Sequence, residues 1–148
     1  MTTTAVSITG NRSLVSSIIA GGIAGLGGGV VFGMLMAMMG MLPMVAMLVG
    51  SQSAVVGFLV HMVISAGIGG FYGLVASRLP LTVGMGIVAG MVNGVVWWVL
   101  GALILMPLLL GMAAMVLKIG TDQWFSLMGH VIYGIVTGLL FIPLSRRS

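Results

Sequence analysis

Long apolar runs alternate with short polar breaks along this chain, at the spacing that membrane-spanning helices require. Apolar runs cover 14–40, 54–77, 82–106 and 124–144, each close to the ~20 residues that cross a hydrocarbon layer. Gly50-Ser51-Gln52-Ser53 breaks the first long apolar stretch, and Lys118 to Gln123 breaks the second. Pro43, Pro80 and Pro107 lie near the predicted ends, where proline is tolerated. The segments 41–50 and 107–117 are apolar but too short to span. They are expected to lie in the interface or to tuck against the bundle.

The runs pair into two copies. At an offset of 65, Ala24, Gly25, Gly29, Val30 and Val31 meet Ala89, Gly90, Gly94, Val95 and Val96. Phe32 meets Trp97, Ala37 meets Ala102 and Met41 meets Met106. At an offset of 69, His61, Gly69 and Arg78 meet His130, Gly138 and Arg147. The expected fold is therefore an all-α integral membrane domain of four transmembrane helices, built as two tandem helical-hairpin repeats. Repeat one covers about 14–78 and repeat two about 82–147, with a pseudo-twofold axis along the membrane normal.

Composition strengthens the membrane assignment. Of 148 residues, 60% are hydrophobic and 4% charged, whereas a soluble domain carries roughly a quarter charged residues. From Ser13 to Ser77 nothing carries a formal charge except, when protonated, His61. Met1 to Gly10 lacks the basic residues and cleavage site of a signal peptide. Without cysteine there are no disulfides, thiolate metal sites or covalent haem attachments. The net charge of +4 reads as a topology signal rather than a nucleic-acid surface, because no basic patch interleaves with aromatics. Arg12, Arg78, Arg146 and Arg147 fall on one side of the four-span map, Lys118 and Asp122 on the other. The positive-inside rule then puts both termini in the cytoplasm. Trp124 and Phe125 suit an outer interfacial anchor.

Glycine spacing carries the packing signal. Gly21, Gly25, Gly29 and Gly33 recur every fourth residue on span one; Gly86, Gly90 and Gly94 do so on span three, where Trp98 replaces the fourth. Such stripes let helix backbones approach closely in lipid, within one chain or between chains of a homo-oligomer. The histidines sit on similar stripes: His61, Ser65, Gly69 and Gly73, then His130, Gly134 and Gly138. Each imidazole thus projects about seven residues into its span, in the outer half of the membrane, beside nearly bare turns. Either a close-packed helix covers that face, with the histidine bonded across it, or a flat ligand lies on the bare turns.

A polar side chain in lipid is a functional candidate by default. In the sharpest expectation, His61 and His130 ligate the iron of a haem b or related tetrapyrrole from opposite sides. Ser65, Gly69, Gly134 and Gly138 would then line the plane, in a subunit of a redox or photosynthetic assembly. Copper is an alternative, since thioethers suit Cu(I) and Met34, Met36, Met38, Met39, Met41, Met44 and Met47 cluster. Adaptable packing explains fifteen methionines more simply, and only Met41 and Met106 match between the copies. Asn93 is expected to bond a neighbouring helix, worth about 0.6 kcal/mol, and Trp97 and Trp98 to fill space. An oligomeric channel or carrier using Asn93, His61 and His130, and a purely structural subunit, are the other readings. An enzyme is not expected: Asp122 is the only acid, and no phosphate loop, Ser-His-Asp set or zinc motif occurs.

The stretch Met41 to Ser53 (MLPMVAMLVGSQS), continuing Val56-Gly57-Phe58-Leu59-Val60-His61, resembles a group of small uncharacterised bacterial four-span membrane proteins. So do Trp97-Trp98-Val99-Leu100-Gly101, Leu105-Met106-Pro107 and Gly129-His130-Val131-Ile132-Tyr133-Gly134. The resemblance covers most of the chain. It implies a small prokaryotic membrane protein and brings no activity with it.

Overall fold

The computed structural model describes residues 13–146, and every regular element among them is helical. Helix α1 (Leu14–Met38) is followed by a short α2 (Leu42–Ala46) and a 3-10 turn, then α3 (Ala54–Ala76). Helix α4 runs Val83–Leu109, and α5 runs Thr121–Arg146. The four long helices are long and apolar enough to cross a membrane, so the chain is a multipass membrane protein. Arg12 and Arg147, two of the charges in the topology argument, lie outside the described residues.

Helix starts follow local chemistry. Ser13 caps α1 by accepting the Ser16 N–H on its hydroxyl, and Thr82 caps α4 by accepting the Met85 N–H. Asp122 in the first turn and Arg146 in the last turn of α5 both complement the helix dipole.

Glycine decides which helices touch. Gly21 and Gly25 of α1 lie on Gly69 and Gly73 of α3 so closely that a Cβ on Gly25 would stand 2.7 Å from the Gly69 Cα. Gly86, Gly90 and Gly94 of α4 lie in the same way on the backbones of Gly138, Gly134 and His130 of α5. Helix α1 also packs on α5, with Gly28 against Thr137 and Tyr133, and Phe32 over Gly129. Tyr133 secures this arrangement by donating its hydroxyl to the Ser65 carbonyl at 2.7 Å. Helices α3 and α4 barely meet, so the bundle is a row, α3–α1–α5–α4, folded into a wedge rather than a closed square.

The first connection follows the sequence expectation, and α4 departs from it. The 41–50 segment does tuck in: α2 buries Leu42, Val45 and Ala46 against α3, where the bare Gly57 admits the Leu42 carbonyl. The third span, expected to stop at 106, instead continues through Pro107 to Leu109 because its helix widens over Trp98–Leu105 to i→i+5 bonding. A proline at 107 provides no N–H for the Leu103 carbonyl. That carbonyl accepts the Leu117 N–H at 3.0 Å, drawing the following loop back over the helix end. Leu117 adopts a left-handed φ of 57° to do so.

Candidate functional site

The widened stretch of α4 faces α3 across the open side of the wedge, and a cavity of about 340 Å³ lies between them. Its walls are mostly apolar. Met36 of α1, Met41, Met44 and Leu48 of the first connection, and Leu105, Met106 and Leu109 of α4 form one part. Ile64 and Ile68 of α3 face Gly101 and Ala102 of α4. A Cβ on Gly101 would meet nothing within 4 Å, so this glycine opens space rather than admitting a helix. Phe71 and Trp97 meet edge to face at 6.1 Å between α3 and α4.

Polar groups line the cavity from α5 and α3. Both histidines, Ser65, Ser126 and Tyr133 line the cavity, as do Asp122 and Gln123 from the start of α5. The stripe geometry explains their shared level. Gly33 abuts the His61 ring on one side, Gly94 abuts the His130 backbone on the other, and the Phe32 ring sits between. Phe32 makes T-shaped contacts with both imidazoles, at 5.3 Å to His61 and 4.9 Å to His130.

Hydrogen bonds fix the two tautomers. The His61 Nε2 lies 3.0 Å from the Gly29 carbonyl, which can only accept, so Nε2 carries the proton. Ser65 Oγ stands 3.4 Å from the same nitrogen. The His130 Nδ1 lies 2.8 Å from the Ser126 carbonyl, so there Nδ1 carries the proton and Nε2 keeps its lone pair. The two rings thus differ in what they tie together: His61 joins α3 to α1 and His130 bonds within α5, and each keeps one unprotonated nitrogen.

The expected haem ligation does not fit these residues. Phe32 occupies the space between the imidazoles, and His61 Nε2 is committed to Gly29. The bare turns are covered as well: Gly69 lies against Gly21 and Gly25, Gly134 against Gly90, and Gly138 against Gly86 and the Tyr72 hydroxyl. Of the two arrangements the stripes allowed, a close-packed helix over the histidine face is the one found. A cavity of about 340 Å³ also lies at the low end of the ~300–1,000 Å³ range for ligand pockets, room for one or two rings rather than a macrocycle.

Other expected residues are dispersed. Met34 and Met38 are exposed on the outside of α1 while Met41 lines the cavity, so the methionine cluster suggested for copper does not converge. Among the described residues no cluster of three histidine or acidic side chains could hold a metal ion. Asn93 is buried, but its Nδ2 makes no bond to a neighbouring helix, contrary to expectation. Trp98 does more than fill space: it donates its indole N–H to the Gln123 carbonyl at 3.0 Å and stacks on Trp124. The sequence reading missed the cavity itself. Its one local signal was Gly101, a bare position where the copy has Met36.

The chain matches no family model, no curated protein and no solved structure.

Proposed function

We propose that this is a small binding protein of a bacterial cytoplasmic membrane, with cytoplasmic termini, that takes a lipid-soluble molecule into the cavity between α3 and α4. The observation that carries the reading is the cavity with its mixed lining: apolar and methionine-rich walls, with Ser126, His130 and Tyr133 along α5 and His61 on α3. Apolar pockets with a few convergent polar groups are the usual form of a small-molecule site. The sparse contact between α3 and α4 supports an entrance from the bilayer, because no helix packing seals that side. Thioethers give walls that reshape around irregular guests. A π-helical stretch commonly marks a functional site, and here it forms one wall. Arg78 and Arg146 stand at the end of the bundle that holds the termini, with Lys118 and Asp122 at the other, in support of the orientation.

Binding of a fluorescent naphthylamine to protein in nanodiscs tests the reading. Saturable binding to the wild type, lost in Gly101→Leu without loss of fold, is expected. Equal partition into empty nanodiscs, wild type and Gly101→Leu would remove it.

A further inference from the structure

We infer that the molecule this cavity takes is a lipophilic organic cation, an ammonium carried on one or two rings, whose charge rests beside the Asp122 carboxylate; the inference rests on the cavity reading above. The charge of the lining carries it. The chain has five lysines and arginines and one acid, a net charge of +4. The cavity reverses that sign. Asp122 lines it, and among the described residues no lysine or arginine does. Both imidazoles in the lining are neutral, since each keeps one unprotonated nitrogen. The wall therefore bears one formal negative charge and no positive one.

That carboxylate is free to take a partner. Among the described residues Asp122 forms no ion pair and no side-chain hydrogen bond. Lys118, four residues before it, stays off the lining. The helix dipole accounts for an acid in the first turn of α5, but not for a cavity wall without a base. Asp122 is exposed while it lines the cavity, so it stands at the rim, where α5 begins. A cation seated there keeps part of its hydration, while the rings behind it leave water for the apolar wall. Phe32, Trp97 and Tyr133 belong to that wall, and aromatic rings themselves attract cations.

The other charge classes use less of the site. An anion would meet the Asp122 charge with no lysine or arginine in the lining to offset it. A neutral apolar guest would fill the walls equally well but gain nothing from the carboxylate. A cation on an aromatic body uses both the wall and the charge. The volume of about 340 Å³ limits that body to one or two rings.

The test compares three naphthalenes of one shape as competitors of the naphthylamine: 1-naphthylmethyl-trimethylammonium, its uncharged carbon isostere 1-neopentylnaphthalene, and the anion 1-naphthylmethanesulfonate. Nanodiscs of zwitterionic phosphatidylcholine keep the lipid from selecting a charge, and each competitor is corrected for partition into protein-free discs. The cation should compete about fivefold better than the isostere, the ratio that one charge pair at ~4 Å gives at a water-exposed rim, and the anion should compete least. In ~1 M salt, where screening acts within about 3 Å, the preference should shrink. Asp122→Asn should bring the ratio near one, and Asp122→Glu should keep it. If the isostere matches the cation on the wild type while both displace the naphthylamine, the cation class is overturned and the cavity reading stands. If Asp122→Asn prefers the cation as strongly as the wild type, the assignment to Asp122 is overturned. If the naphthylamine itself does not bind saturably, the cavity reading fails and this inference with it. The comparison of cation with isostere needs no variant, so it holds even if Asp122→Asn does not fold.

Discussion

Adding one methyl group should destabilise the protein at Gly90 and leave it intact at Gly101, two positions eleven residues apart on the same helix. At Gly90 a Cβ would meet the Gly134 carbonyl group, with its carbon 2.8 Å away and the Ile135 nitrogen 3.3 Å away. Carbon atoms rest ~3.5–4.0 Å apart, so α4 and α5 must separate by about 1 Å. That separation also loosens Gly86 on Gly138 and Gly94 on His130, because the three contacts share one straight seam. Overpacking costs typically about 1–3 kcal/mol, and a backbone neighbour cannot yield as a side chain can. We expect Gly90→Ala to lose about 3 kcal/mol. At Gly101 the same methyl meets nothing within 4 Å. Alanine is favoured over glycine in a helix by about 1 kcal/mol, so Gly101→Ala should be neutral or stabilising. Reversible unfolding in mixed micelles, followed by circular dichroism, measures both. If Gly90→Ala is as stable as the wild type, or both variants lose equally, the assignment of the seam is wrong.

Other expectations follow from individual bonds. His61→Ala should destabilise the fold more than His130→Ala, because the first cuts a bond from α3 to α1 and the second a bond within α5; the same unfolding assay ranks them. Tyr133→Phe removes the link to the Ser65 carbonyl and should cost about 0.6 kcal/mol, and no more than ~1.7, as interhelical bonds in membranes do. Trp98→Phe loses the donor to Gln123, which anchors the start of α5. Hydrogen exchange of the Trp124–Leu127 amides, the first that the helix bonds, should rise while the Gly134–Gly138 amides stay protected. Gly57→Ala should detach α2 from α3, since its Cβ would strike the Leu42 carbonyl, and a cysteine label at Val45 would then react faster.

The spans and helix neighbours were legible because lipid leaves few ways to pack. Apolar run length set the four helices to within three residues, and four-residue glycine spacing marked faces for close packing without telling whether the partner lies in the same chain. The histidines' shared level was legible too, but their roles were not. Spacing alone cannot tell whether a bare turn receives a helix or a ligand, and here Gly69, Gly134 and Gly138 receive helices. Nor does spacing reveal that Phe32 enters between the imidazoles, since that depends on how α1 crosses α5. The cavity was hidden for a related reason. It exists because α3 and α4 fail to meet, and a missing contact leaves no periodic trace in sequence. The continuation of α4 past Pro107 was likewise hidden, because the Leu103 carbonyl that the proline leaves free finds its partner, Leu117, in the next loop.

Tryptophan quenching tests the central claim most directly. In a Trp98→Phe, Trp124→Phe background, Trp97 is the sole tryptophan and lies in the cavity wall. Titrated in nanodiscs with bromonaphthalene, a heavy-atom quencher of one fused ring pair, it should quench saturably. With Gly101→Leu added, only the linear quenching of a lipid-exposed indole should remain. Linear, identical quenching in both proteins would mean that nothing enters between α3 and α4, and the account of this protein as a binding protein would be contradicted.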